Sequence, residues 1–130
     1  MRLKREVLDA VMDGALPKGD ALATSRIAGI MAAKRTAEWV PLCHTLPLDE
    51  IRVSFERVGA EELGIVSTVR ATARTGVEME ALVAVSAAAL CVYDMVKAAD
   101  RGVIIGPIRL EAKSGGRSGD YRRDGSEERA

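Results

Sequence analysis

Residues 51–74, IRVSFERVGAEELGIVSTVRATAR, decide the fold class. Ile51, Val53 and Phe55 alternate with Arg52, Ser54 and Glu56. That period of two belongs to a strand with one apolar face. GAEELG at 59–64 reads as a turn. Beyond it Ile65, Ser67, Val69, Ala71 and Ala73 fall on one side of a second strand over 65–74. Val66, Thr68, Arg70, Thr72 and Arg74 fall on the other. Two strands so closely joined form an antiparallel hairpin, and its apolar face has to be covered by the flanking chain.

The flanks supply helices. Leu3, Val7, Leu8 and Val11 recur at helical spacing, and Gly14 offers a stop. Residues 15–20, ALPKGD, read as a loop with Asp20 as an N-cap. Residues 21–39 form a second expected helix, with Leu22, Ile27, Ile30 and Met31 as its apolar positions and Pro41 ending it. Residues 76–100 read as a long Ala-rich helix with little polar face between 82 and 92, hence buried on most sides. Residues 103–113 read as a third strand, at an edge or bulged because of Pro107. The order α, α, β, β, α, β predicts an α+β domain with helices on one face of an antiparallel sheet.

The composition sets bounds. At 130 residues the chain makes one domain. One Trp, one Phe and two Tyr leave the core to aliphatic side chains. The formal net charge is zero, so no bulk basic field invites nucleic acid. Two cysteines make no disulfide framework and favour a cytoplasmic protein with free thiols. The N-terminus lacks the apolar block of a signal peptide, and the weakly polar run 81–92 is too short to span a bilayer.

Five stretches carry candidate chemistry. VPLCHTLP at 40–47 holds the only histidine, His44, beside Cys43. Four roles are open to His44: metal ligand, half of a Cys–His dyad, substrate contact, or packed side chain. One His and two Cys cannot close a zinc site alone. Neighbouring side chains on an extended segment diverge, which disfavours the dyad. TGVEME at 75–80 puts two carboxylates in the first turn of the long helix, where the helix dipole also favours them. Asp94 and Lys97 in YDMVK share a helix face and could be no more than a surface ion pair. KSGGRSG at 113–119 could cradle an anion but does not have the order of a Walker loop. PKGD at 17–20 exposes Lys18. Each alone is ordinary solvated charge.

The set is not ordinary. IAGIMAAKRT, PLCH, TGVEMEAL, YDMVKA and KSGGRSG, in this order, resemble the MoaC family of cyclic pyranopterin monophosphate synthases from about Leu3 to Arg122. The resemblance implies a lyase acting on (8S)-3′,8-cyclo-7,8-dihydroguanosine 5′-triphosphate, releasing cyclic pyranopterin monophosphate and diphosphate. It implies Asp94 as acid/base, with Lys97 and Lys18 as catalytic lysines. Leu42, Cys43 and His44 match its substrate-binding PLCH segment, although Thr45 stands where the family usually has Pro. Met79 and Glu80 match a second substrate-binding pair, with Glu78 close by. Lys34 and Lys113 match basic residues placed near phosphates. No metal and no cofactor are implied. The family forms hexamers, trimers of dimers, with sites between subunits.

The implied fold is ferredoxin-like over 1–122, with 123–130 a disordered charged tail. The family carries a further strand before the first helix, so the sheet is expected to be one strand short. Residues 103–112 should then lack a neighbour, and residues 1–4 could supply only a stub. One geometric point stands apart from the family. Glu80 and Asp94 on one straight helix lie ~21 Å apart at 1.5 Å per residue. They serve different jobs or come from different chains. Two other readings remain: an inactive nucleotide- or pterin-binding module on the same fold, or a generic α+β oligomerisation domain.

Overall fold

In the computed structural model residues 1–124 are described. Helix α1 spans Arg5–Met12, and its Val7, Leu8 and Val11 are buried, with Leu3 buried just ahead. It stops as the spacing predicts, where Gly14 takes φ 65°. Helix α2 spans Ala21–Ala33. Its cap is Asp20, whose carboxylate accepts from the Ala23 amide at 2.9 Å. Strands β1 (Glu50–Gly59) and β2 (Glu62–Arg70) form the expected antiparallel hairpin, with Ile51 opposite Val69, Val53 opposite Ser67 and Phe55 opposite Ile65. The turn is tighter than GAEELG suggested, since Gly59 already pairs with Glu62. Arg52, Ser54, Glu56, Val66, Thr68 and Arg70 face solvent, while Val53 and Leu63 are buried.

Three expectations need correction. The helix expected over 21–39 breaks at Lys34 and Arg35, and residues Thr36–Trp39 form a separate short helix, α3. Nor does α2 bury Ile27 and Met31, which stand exposed; it buries Ala21, Ser25, Gly29, Ala32 and Ala33. The small side chains let α2 lie close on helix α4 (Glu78–Val96), and a Cβ at Gly29 would sit 2.8 Å from the Ala84 carbonyl oxygen. Finally, residues 103–113 are not a continuous strand. Ile104 makes a single bridge to Arg2, and only β3 (Ala112–Lys113) is regular, pairing with β4 (Tyr121–Arg122). Gly106, at φ 122°, and Pro107, which has no amide donor, interrupt the ladder.

The stub is real. Met1 and Leu63 exchange backbone bonds at 2.7 and 2.9 Å, Leu3 donates to the Glu61 carbonyl, and Arg2 exchanges bonds with Ile104 at 2.9 and 3.1 Å. Residues 1–3 therefore lie between β2 and Ile104. Asp100, buried at 4 % exposure, accepts from the amides of Lys4 and Gly102, both at 2.9 Å, and pins the start of α1 to the end of α4.

The main core joins Leu3, Val7, Leu8, Val11 and Leu16 to Leu63, Val92, Val96 and Val103. A second cluster, Ala33, Val53, Ala84 and Ala88, lies between α2, α4 and the sheet. Each fully buried Leu or Val there contributes about 1.5–3 kcal/mol by transfer from water. By length and composition alone α4 could cross a membrane, but Val83, Ala84, Ala88, Ala89, Val92 and Val96 are buried inside this fold. Residues 125–130 of the expected tail lie outside the described residues; Arg123, before them, donates its amide to Glu111 at 2.8 Å.

Candidate active site

Helices α2 and α4 run antiparallel, and this decides which charges meet. The Lys18 loop, at the N-terminal end of α2, reaches the C-terminal end of α4. Leu16 is buried, Gly19 turns at φ 107° with its amide bonded to the Leu16 carbonyl, and Asp20 caps α2. Lys18, held between these anchors, reaches Asp94 with Nζ 3.3 Å from Oδ2 and 3.0 Å from the backbone carbonyl. Lys97 approaches the other carboxylate oxygen at 2.6 Å. The hydrogen bond from Lys97, then that from Lys18, holds the Asp94 carboxyl below its ordinary pKa, and Asp94 raises that of Lys97. The trio is thus one carboxylate between two ammonium groups. All three side chains are at least half exposed.

The other end of α4 gathers the second cluster. Glu80, 3 % exposed, lines a narrow groove with Lys34, Thr36, His44 and Thr45. Lys34 follows the last turn of α2, so the helix that delivers Lys18 to Asp94 also delivers Lys34 to Glu80. The VPLCHTLP segment is irregular, as its prolines predict, and a turn closed by the Cys43 amide on the Val40 carbonyl aims it here. His44 is exposed at the groove, which removes the packed-histidine reading. The Cys43 thiol lies 4.0 Å from Glu80 Oε1. Burial first, and the Glu80 charge second, raise its pKa, so Cys43 stays a neutral thiol, unsuited to nucleophilic attack. Leu42 projects fully into solvent. No group of three or more His, Cys, Asp or Glu that could hold a metal occurs among the described residues.

Beside the groove opens a cleft of about 700 Å³ lined by Glu78, Met79, Leu110, Lys113, Ser118 and Tyr121, among others. Lys113 Nζ lies 2.9 Å from Glu78 Oε1 and also contacts Ser118 Oγ. The Lys113 bond is the main cause of the lowered Glu78 pKa. Sequence reasoning found Lys113, Glu78 and Met79 and had Ser118 within the glycine-rich stretch, but missed Asp120 and Tyr121, which also line the cleft. The signal was the SGDY continuation of the glycine-rich stretch, which returns the chain to β4.

Apart from Leu42, the residues expected in a site therefore fall in one of two clusters, but α4 separates them. It is a single helix of 19 residues, so Glu80 and Asp94 lie ~21 Å apart. The sequence profile of the MoaC family matches residues 1–116. The chain belongs to the MoaC family. It is 58 % identical over 121 residues to cyclic pyranopterin monophosphate synthase 3 of Mycobacterium tuberculosis (strain ATCC 25618 / H37Rv), covering 93 % of this chain and 68 % of that protein. It is 54 % identical over 123 residues to the cyclic pyranopterin monophosphate synthase of Herpetosiphon aurantiacus, covering 94 % and 75 %. The Brevibacillus brevis synthase is 52 % identical over 121 residues, covering 93 % and 76 %. The function of this MoaC chain is cyclic pyranopterin monophosphate synthesis, a lyase step of molybdenum cofactor biosynthesis.

Proposed function

We propose that the synthase site is composite, with the Asp94 cluster of one subunit facing the Glu80 groove and Lys113 cleft of another. The carrying observation is the separation of the two clusters along one rigid helix, each furnished for a different half of the chemistry. A twofold-related copy turned over against α4 would bring unlike ends together twice. Ile27, Met31 and Leu90, exposed on α2 and α4, are the apolar surface such a pairing would cover. A homohexamer, as a trimer of such dimers, is the assembly we assign.

The substrate in this reading is (8S)-3′,8-cyclo-7,8-dihydroguanosine 5′-triphosphate. Rearranging its purine requires proton transfers, and closing the cyclic phosphate expels diphosphate. Asp94 rests as a carboxylate, so it begins as base and hydrogen-bond acceptor, while the Lys18 and Lys97 ammonium groups are the donors beside it. Lys34, His44 and Lys113 place positive charge or N–H donors where phosphate oxygens gain charge. Glu78, Met79 and Glu80, with Leu42 and Cys43, shape the base-binding side. No resident metal or cofactor enters this scheme.

The ferredoxin-like arrangement belongs to the same proposal: residues 1–3, between β2 and Ile104, take the place of its first strand. We place the enzyme in the cytoplasm, where GTP-derived intermediates arise. Incubation with the cyclic dihydroguanosine triphosphate should yield the pterin product and one diphosphate per turnover. Binding without turnover would favour the inactive-module reading.

A further inference from the structure

The glycine-rich segment between β3 and β4 is held by contacts that the reaction scheme does not use. Gly115, Gly116 and Gly119 each take φ 73°, a conformation that costs L-residues energy, so the loop has one shape only if something fixes it. Asp120 is placed to do so: its Oδ1 accepts from the Gly115 amide at 2.8 Å and closes the loop end to end. A longer contact, Gly119 amide to Gly116 carbonyl at 3.4 Å, lies inside that closure. The loop rests on the approach to α4, where a Cβ at Gly116 would come 3.3 Å from the Gly76 nitrogen. Lys113 enters from the first residue before the loop and contacts both Ser118 and Glu78. We infer that Asp120 is a positioning residue: by clamping Gly115 it holds the loop on α4 and keeps Lys113 and Ser118 aimed into the cleft beside Glu78.

This rests on the reading of that cleft as a substrate site, so the test has one arm independent of turnover. Asp120→Asn keeps an oxygen where Oδ1 sits, whereas Asp120→Ala removes it. Hydrogen exchange at the Gly115 amide should be faster in the alanine variant and near wild type in the asparagine variant. In steady-state kinetics Asp120→Ala should lower kcat/KM about ten-fold through KM, as loss of one charge-assisted hydrogen bond implies. Asp120→Asn should recover most of it. Unchanged Gly115 exchange in Asp120→Ala would overturn the inference whatever the activity. Equal kinetic defects in both variants would also overturn it, since the carboxylate charge would then matter in its own right. A wild-type protein without turnover would count against the assigned activity, and the exchange arm would still decide the role of Asp120.

Discussion

Replacing Gly29 with alanine tests the packing that brings both charge clusters to their places. In an isolated helix the change would be favourable by about 1 kcal/mol, because glycine is the poorer helix former. Here the new methyl would lie 2.8 Å from the Ala84 carbonyl oxygen, 3.2 Å from Val53 Cγ2 and 3.3 Å from Ala88 Cβ. The first neighbour is backbone in the middle of α4 and cannot swing aside, so α2 must move off α4. Overpacking of this kind costs about 1–3 kcal/mol. Set against the propensity gain, the net expectation is a loss of up to roughly 2 kcal/mol, or up to roughly 7 °C in Tm for a domain of this size. Urea unfolding at 25 °C, followed by far-UV circular dichroism, measures it. Activity should fall further than stability, because α2 carries the Lys18 loop at one end and Lys34 at the other. A Gly29→Ala protein more stable than wild type would refute the close approach of α2 and α4.

Ser25 is fully buried in α2, and its hydroxyl has no hydrogen-bond partner among the described residues. Ser25→Ala should leave Tm unchanged or raise stability by up to about 1 kcal/mol; a clear loss would mean the hydroxyl is bonded in solution. Asp100 has its pKa lowered, chiefly by the Lys4 amide, so its contribution is present above the unfolded carboxylate pKa of about 4 and is lost as pH falls through the folded value. Asp100→Asn should therefore show a shallower loss of stability than wild type on acidification below about pH 5, and parallel curves would remove Asp100 from that account. Asp94→Asn preserves shape while deleting the base, so product formation should collapse with Tm and oligomeric state retained; near-normal turnover would sink the assignment.

The hairpin and α4 were legible because each repeats one period for many residues, and Asp20 and Gly14 punctuate the helices as their chemistry requires. The buried face of α2 was not. Hydrophobicity points to Ile27 and Met31, whereas close helix contact selects the small residues Gly29, Ala32 and Ala33. The stretch 103–113 alternates enough to read as a strand, but pairing depends on a neighbour, which the local pattern does not encode. The two charge clusters were recognisable through family resemblance; the pairing of Glu78 with Lys113 and the clamp from Asp120 to Gly115 arise from chain reversal after β3 and needed coordinates.

The central claim is that neither cluster works without the opposite cluster of a second chain. Asp94→Asn and Glu80→Gln should each be inactive alone, since each leaves every site lacking one half. Co-expressed in equal amounts and assembled at random, the two variants should recover about a quarter of wild-type turnover, because a site is whole only when each half comes from the unmutated source. No recovery in mixed oligomers confirmed by mass spectrometry would contradict the composite site and place the chemistry within a single subunit.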